Sequence, residues 1–161
     1  MEAFLSSLLL ALTAIQGLTM VFDEFIFHKG RGLETFERWG HVADTGLFFL
    51  ALLVPALFWP NFWTLLLFGI LAVASSLLIT KDEWIHASSC TGAEQWCHSL
   101  LFILHGPILL SFGLLWYLDP SSLLLKGLPA LVFLWGVYQF YYWNIYYARS
   151  HQTTSREQSV L

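Results

Sequence analysis

At 161 residues, 57% hydrophobic and only 11% charged, the chain falls outside the balance of a soluble domain, which is about half apolar and about a quarter charged. So little charge excludes a water-exposed surface and points to lipid as the solvent, with room for one domain. A net charge of −4, with no basic patch among interleaved aromatics, excludes a nucleic-acid partner.

The N-terminus, Met1-Glu2-Ala3-Phe4, has no positive leader and no small-residue cleavage site. The first apolar run is therefore expected to be a retained helix. A spanning helix needs about 20 apolar residues to cross about 30 Å of hydrocarbon. That criterion predicts an all-α integral membrane protein, an antiparallel bundle of about five transmembrane helices in one domain over residues 1–149. The predicted helices cover about residues 3–27, 34–59, 61–87, 93–118 and 121–148. A polar turn, His28-Lys29-Gly30-Arg31-Gly32, should break the first from the second, and Pro60 ends the second. Asn61 is placed to cap the third helix, and Thr91-Gly92-Ala93-Glu94 reads as a capping box for the fourth. Ser121 or Ser122 is placed to cap the fifth, and residues 150–161 form a polar cytoplasmic tail. Because every connection is short, sequential helices are expected to pack as antiparallel neighbours.

Lys29, Arg31, Arg38, Lys81, Arg149 and Arg156 fall on the side of the first and third loops and the C-terminus, against Lys126 alone on the other. The positive-inside rule then places the N-terminus outside and the C-terminus in the cytoplasm.

The same side holds all six histidines and all eleven acids except Glu2 and Asp119. The first helix ends with Asp23, Glu24 and His28, and the second begins with Glu37, His41 and Asp44 on one stripe. Asp82, Glu83 and His86 close the third, and Glu94, His98 and His105 form a stripe on the fourth. Folding each hairpin about its loop brings Glu24 level with His41, and Glu83 with His98, with Asp44 and His105 about 5 to 10 Å deeper. Charges facing lipid cost several kcal/mol each, so these groups should turn inward.

Imidazole and carboxylate together suit iron, manganese or zinc, and enough ligands are present for two ions, with iron favoured. The expected ligands are Glu24, Glu37, His41, Asp44, Glu83, His86, Glu94, His98 and His105. Asp23, His28, Asp82, Gln139 and Tyr142 are alternative ligands or groups that orient them by hydrogen bonds. The pattern resembles the ligand logic of dimetal-carboxylate four-helix bundles. Glu83/His86 has their i, i+3 spacing, whereas Glu24/His28, Glu37/His41 and Glu94/His98 are spaced i, i+4. The histidine boxes of membrane desaturases are absent.

Plainer readings exist for several of these residues. Glu94 serves as a helix cap, His28 as a loop residue, and Trp143, Tyr146 and Tyr147 as an interfacial aromatic belt. Cys90 and Cys97, seven apart, form neither a disulfide framework nor a C-x-x-C motif and read as ordinary thiols. Pro107 should kink the fourth helix beside His105.

The function expected from this pattern is a non-haem di-iron or other dimetal enzyme that oxidises a lipidic or hydrophobic substrate at the cytoplasmic face, served by an electron donor. A zinc-dependent membrane hydrolase, a metal-ion or proton transporter, a metal chaperone, a haem-binding bundle and an assembly subunit are the alternatives.

Overall fold

In hydrocarbon a backbone must satisfy its own hydrogen bonds, and apolar runs as long as those of this chain do so by becoming helical. The computed structural model describes residues 1–81 and 83–150, which are all-helical with no strand. Helix α1 is Glu2–Arg31, with an α-helical body followed by a wide π-helical stretch, Asp23–His28. Helices α2 (Thr35–Leu57), α3 (Phe62–Leu78), the short α4 (Glu83–Ser89) and α5 (Gly92–Leu118) follow. Helix α6 is Leu124–Tyr141 and runs on as a second π-helical stretch, Tyr142–Tyr147. Asp82 and the tail from residue 151 lie outside the described residues.

By length and composition α1, α2 and α5 are three helices that can cross a membrane, and α3 is a shorter apolar helix. The fifth expected span, α6, is not among the three. It carries Lys126, Gln139 and a run of tyrosines, whose polar ends lower its hydropathy.

Several expected boundaries move, each for a local reason. Helix α1 continues through Gly30 and stops only where Gly32 takes φ 78°, beside the Tyr147 hydroxyl that any side chain there would meet. The third helix does not run on to residue 87. It ends at Leu78, and a turn at Thr80 and Lys81 separates it from α4. This turn lays the Lys81 side chain across Gly40, where a Cβ would clash with it, and onto the Asp44 carboxylate. Asn61 caps α3 as expected, accepting from Trp63 and Thr64 backbone N–H groups. Ser121 and Ser122 do not cap α6, because Ser121 turns its N–H and hydroxyl onto the Asp119 carboxylate. Helix α5 passes through Pro107 without a break.

The packing order also differs from the expected chain of sequential neighbours. Helix α1 packs chiefly on α5, and α2 on both α6 and α3. Phe49 meets Phe133, Thr45 meets Gln139, and Arg38 reaches the Trp143 carbonyl, so α2 and α6 run antiparallel. The same logic sets α3 against α5, where Phe68 meets Trp116 and Ser75 meets His105. The core between the helices holds Leu9, Leu52, Ile108, Phe112, Leu115 and Trp116. Trp116 Nε1 satisfies itself on the Phe58 carbonyl at 2.8 Å. Outward-facing Leu18, Ile70, Val73, Ile103 and Leu110 are exposed. An apolar exterior around a packed interior is the pattern of a lipid-facing helix set.

Gly113 sits where α5 meets α3, and a Cβ there would lie 2.7 Å from the Phe68 ring. Gly113→Val should therefore lower stability in detergent by about 1–3 kcal/mol through overpacking. Gly69→Ala, with nothing within 4 Å of its Cβ, should leave it unchanged or slightly raised. Thermal unfolding of the two variants against the parent protein measures the difference.

Candidate metal centre

Two aligned features build the site: the inner ends of α1, α2, α5 and α6 meet there, and two of those ends are wound as π-helix. At α-helical pitch residues five apart diverge by about 140° around the axis. With i→i+5 hydrogen bonding the turn widens and such residues return to one face. In α1 this puts Asp23 and His28 together, with His28 Nε2 3.2 Å from Asp23 Oδ2. In α6, Trp143 of the π-helical stretch and Tyr138 of the α-helical turn before it both donate to Glu24 Oε1 at 2.8 Å.

From this base the cluster extends to α5. His98 Nε2 is 3.2 Å from Asp23 Oδ2, and Glu94 Oε1 is 3.9 Å from His28 Nε2. Asp23, His28, Glu94 and His98 are all buried, and one ligating atom from each lies within 4.8 Å of the others. The His86 ring from α4 lies tilted 4.2 Å from that of His98, and the His41 ring from α2 lies 4.8 Å from that of His28. Glu37 is fully buried and takes a two-pronged bond from Arg31 at 2.8 and 3.2 Å, and the same guanidinium reaches Glu94 at 3.3 Å.

Not every expected ligand enters this group. Glu24 spends one oxygen on Tyr138 and Trp143 and holds the other 3.5 Å from His28 Nδ1. Asp44 pairs with Lys81. Glu83 is half-exposed, 3.5 Å from His86 Nδ1. His105 lies deeper, its Nε2 2.9 Å from Ser75 Oγ. Gln139 accepts from Thr45 at 2.6 Å, and Tyr142 stacks on Tyr138 at the edge of the cluster. Asp82 falls outside the described residues.

Conversely, Asp23 and His28, expected only as alternatives, are central, and His28 belongs to a helix rather than a loop. Glu94 does sit at a capped helix start, where Thr91 accepts its N–H, yet its carboxylate points into the cluster. Trp143, read from the sequence as belt, is buried and hydrogen-bonded to Glu24, while Tyr146 is exposed as that reading requires. Tyr147 packs on Trp143 and beneath Arg38.

Sequence reasoning missed Arg31, Tyr138 and Trp143 as parts of the polar network, and expected Lys81 beside Asp82 or Glu83 rather than on Asp44. Arg31 was absorbed by the positive-inside pattern and Trp143 by the belt. The available signal on α1 was the five-residue spacing of Asp23 and His28.

Cys90 stands with His86 and His98 as a second, mixed group. Burial, and then the neighbouring Glu94 carboxylate, push the Cys90 thiol up to about 12. It is therefore a neutral thiol near pH 7.

A cavity of about 440 Å³ opens from the cluster into the bundle, inside the roughly 300–1,000 Å³ range of small-molecule sites. Asp23, Glu24, His28, His41, His86 and His98 form its head, and Phe48, Ile108, Leu131 and Trp135 line its body. Asp23 Oδ1, His41 Nε2 and His98 Nδ1 are buried with no hydrogen-bond partner among the described residues. Unmet lone pairs and N–H groups at such depth are costly unless a ligand engages them.

The chain matches no protein-family model, no curated protein and no solved structure.

Arg31 answers two buried carboxylates at once, so its loss leaves both uncompensated. Arg31→Gln should destabilise the protein by about 3–5 kcal/mol, the range for breaking a buried pair from one side. Adding Glu37→Gln should recover a large part of that loss. Equilibrium unfolding of both single variants and the double variant closes the cycle, and strictly additive losses would deny the coupling.

Proposed function

We propose that the chain is a membrane-embedded metalloenzyme that binds iron in a non-haem carboxylate–histidine site and oxidises a hydrophobic substrate held in the cavity below it. The supporting observation is the coincidence of a buried four-ligand set, Asp23, His28, Glu94 and His98, with the head of an apolar cavity. Two carboxylates and two imidazoles are a donor set suited to iron, manganese or zinc rather than to soft metals. His41 and His86, beside His28 and His98, supply ligands for a second ion in a dinuclear centre. Bound iron would supply dioxygen activation and one-electron chemistry.

The protein's own groups set the conditions for that chemistry. Tyr138 and Trp143 hold Glu24 in place from behind, and Arg31 holds Glu37. Glu24 and Glu37 in turn stand beside His28 and His86, and carboxylates so placed fix the orientation of ligating imidazoles. Apolar walls from Phe48 to Trp135 keep water out and receive a hydrocarbon chain. The asymmetry of the basic residues supports a cytoplasmic position for the cluster, where a substrate would enter from the inner leaflet and a soluble electron donor would approach.

A transport reading needs a polar path that continues across the bundle. Beyond the cavity the interior is closed by Phe112, Leu115 and Trp116, all fully buried, which favours a site over a channel. Zinc in the same ligands would lead to hydrolysis instead, and metal identity separates the two.

Elemental analysis of the detergent-purified protein is the test. Two equivalents of iron are expected, with His28→Ala and His98→Ala each reducing the content by at least half. One equivalent would confine the ion to the four-residue set, and stoichiometric zinc would favour the hydrolase. Sub-stoichiometric metal insensitive to both substitutions would remove the proposal.

A further inference from the structure

The cavity has a second polar tier that the metal site does not use. Gln16 precedes Asp23 by seven residues on α1, and His105 follows His98 by seven on α5. Since α1 and α5 run antiparallel with Asp23 against His98, Gln16 and His105 share a level about 10 Å below the cluster. Both line the cavity. His105 is engaged by Ser75, as is Thr13 by the Leu9 carbonyl and Thr45 by Gln139. Gln16 is different. It is 8% exposed, and its Oε1 is buried with no hydrogen-bond partner among the described residues.

A glutamine in an apolar wall is costly unless something meets its amide. An isolated water is a poorer candidate, because a buried water needs about 2–4 polar partners and the Thr13 and Thr45 hydroxyl protons are already spent on Leu9 and Gln139. A hydroxyl on a hydrocarbon chain needs only one such partner, since the walls take up the rest of the molecule. It also both donates and accepts, so it fits the Gln16 amide in either orientation.

We propose that the cavity binds a chain-like lipid bearing a hydroxyl about 10 Å from the end that faces the cluster, with Gln16 as the group that recognises the hydroxyl. The orientation of the chain rests on the metal-site reading of the cavity head; the recognition by Gln16 does not. Gln16 thereby sets which carbon of the chain reaches the cluster, so it governs position along the chain rather than chemistry.

The test compares three probes of equal chain length, each competing for a radiolabelled mid-chain alcohol on the full protein in nanodiscs. They are a straight-chain alkane, the alcohol with its hydroxyl at mid-chain, and the primary alcohol. The mid-chain alcohol is expected to bind about tenfold more tightly than the alkane, equivalent to about 1.4 kcal/mol, and more tightly than the primary alcohol. Gln16→Leu and Gln16→Met should bring all three together while leaving metal content unchanged. Equal binding of the three probes by the unaltered protein overturns the proposal, as does a preference that persists in both variants. Should neither variant fold, the isomer comparison on the unaltered protein decides alone. Absence of metal from a protein that still prefers the mid-chain alcohol would defeat the metalloenzyme reading and leave this one standing.

Discussion

A carboxylate taken out of water must find a counter-charge or give up its own, and in a chain this apolar there are few places to find one. Asp23, Glu24, Glu37 and Glu94 are all buried within one cluster, while Arg31 is the one guanidinium or ammonium among the described residues with an ion pair to any of them. Tyr138 and Trp143 answer Glu24 with neutral donors. The remaining partners of these carboxylates are imidazoles: His28 and His98 each stand 3.2 Å from Asp23. The helix ends, the turn before α4 and the two wide helical stretches are the means by which the chain gathers acids and imidazoles around Arg31.

Much of this was legible in the sequence. The apolar runs, with few charges to interrupt them, gave all-helical structure, and α5 begins and ends within a residue of its predicted span. The gathering of His, Asp and Glu at one end followed from their position in each run, because helices joined by short loops return to the same level. His98, Glu94, His86 and Glu37 were picked out by stripe and depth, and all four are buried at the centre.

What was not legible has a common cause: the sequence was read at one helical period. A stripe at i, i+4 selects Glu24 with His28 and passes over Asp23, which meets His28 only because the turn there is wide. Trp143, which joins Tyr138 on Glu24, lies in the second wide stretch. Propensity does not mark such a stretch, since Asp-Glu-Phe-Ile-Phe-His would serve equally well in an ordinary helix. Its winding is fixed by the tertiary partners it meets, which is the kind of place where wide turns occur. Arg31 was hidden differently. Counted as one of six basic residues on one face, it had an adequate explanation, and only the ion pairs separate it from Lys29, whose ammonium lies over the Phe25 and Tyr142 rings.

The cavity links these features into one arrangement. Helices α1 and α5 each carry an acid or imidazole at the cluster and a second polar residue two turns deeper, Gln16 and His105. Between the tiers α1 and α5 line it with apolar Met20, Leu101 and Phe102, while Asp44, Thr45 and Gln139 line it from α2 and α6, with Thr45 and Gln139 bonded to each other and Asp44 to Lys81. In a purely structural network the deeper residues would be expected to pair with one another, as buried polar groups in a bundle generally do. They do not: His105 turns to Ser75 on α3, and Gln16 Oε1 remains open. A cavity whose unpartnered polar groups are divided between its head and a point two turns below has the shape proposed above for a molecule with the same division. Unmet groups at such depth are costly, so on the proposed reading the same groups that weaken the fold would make binding selective.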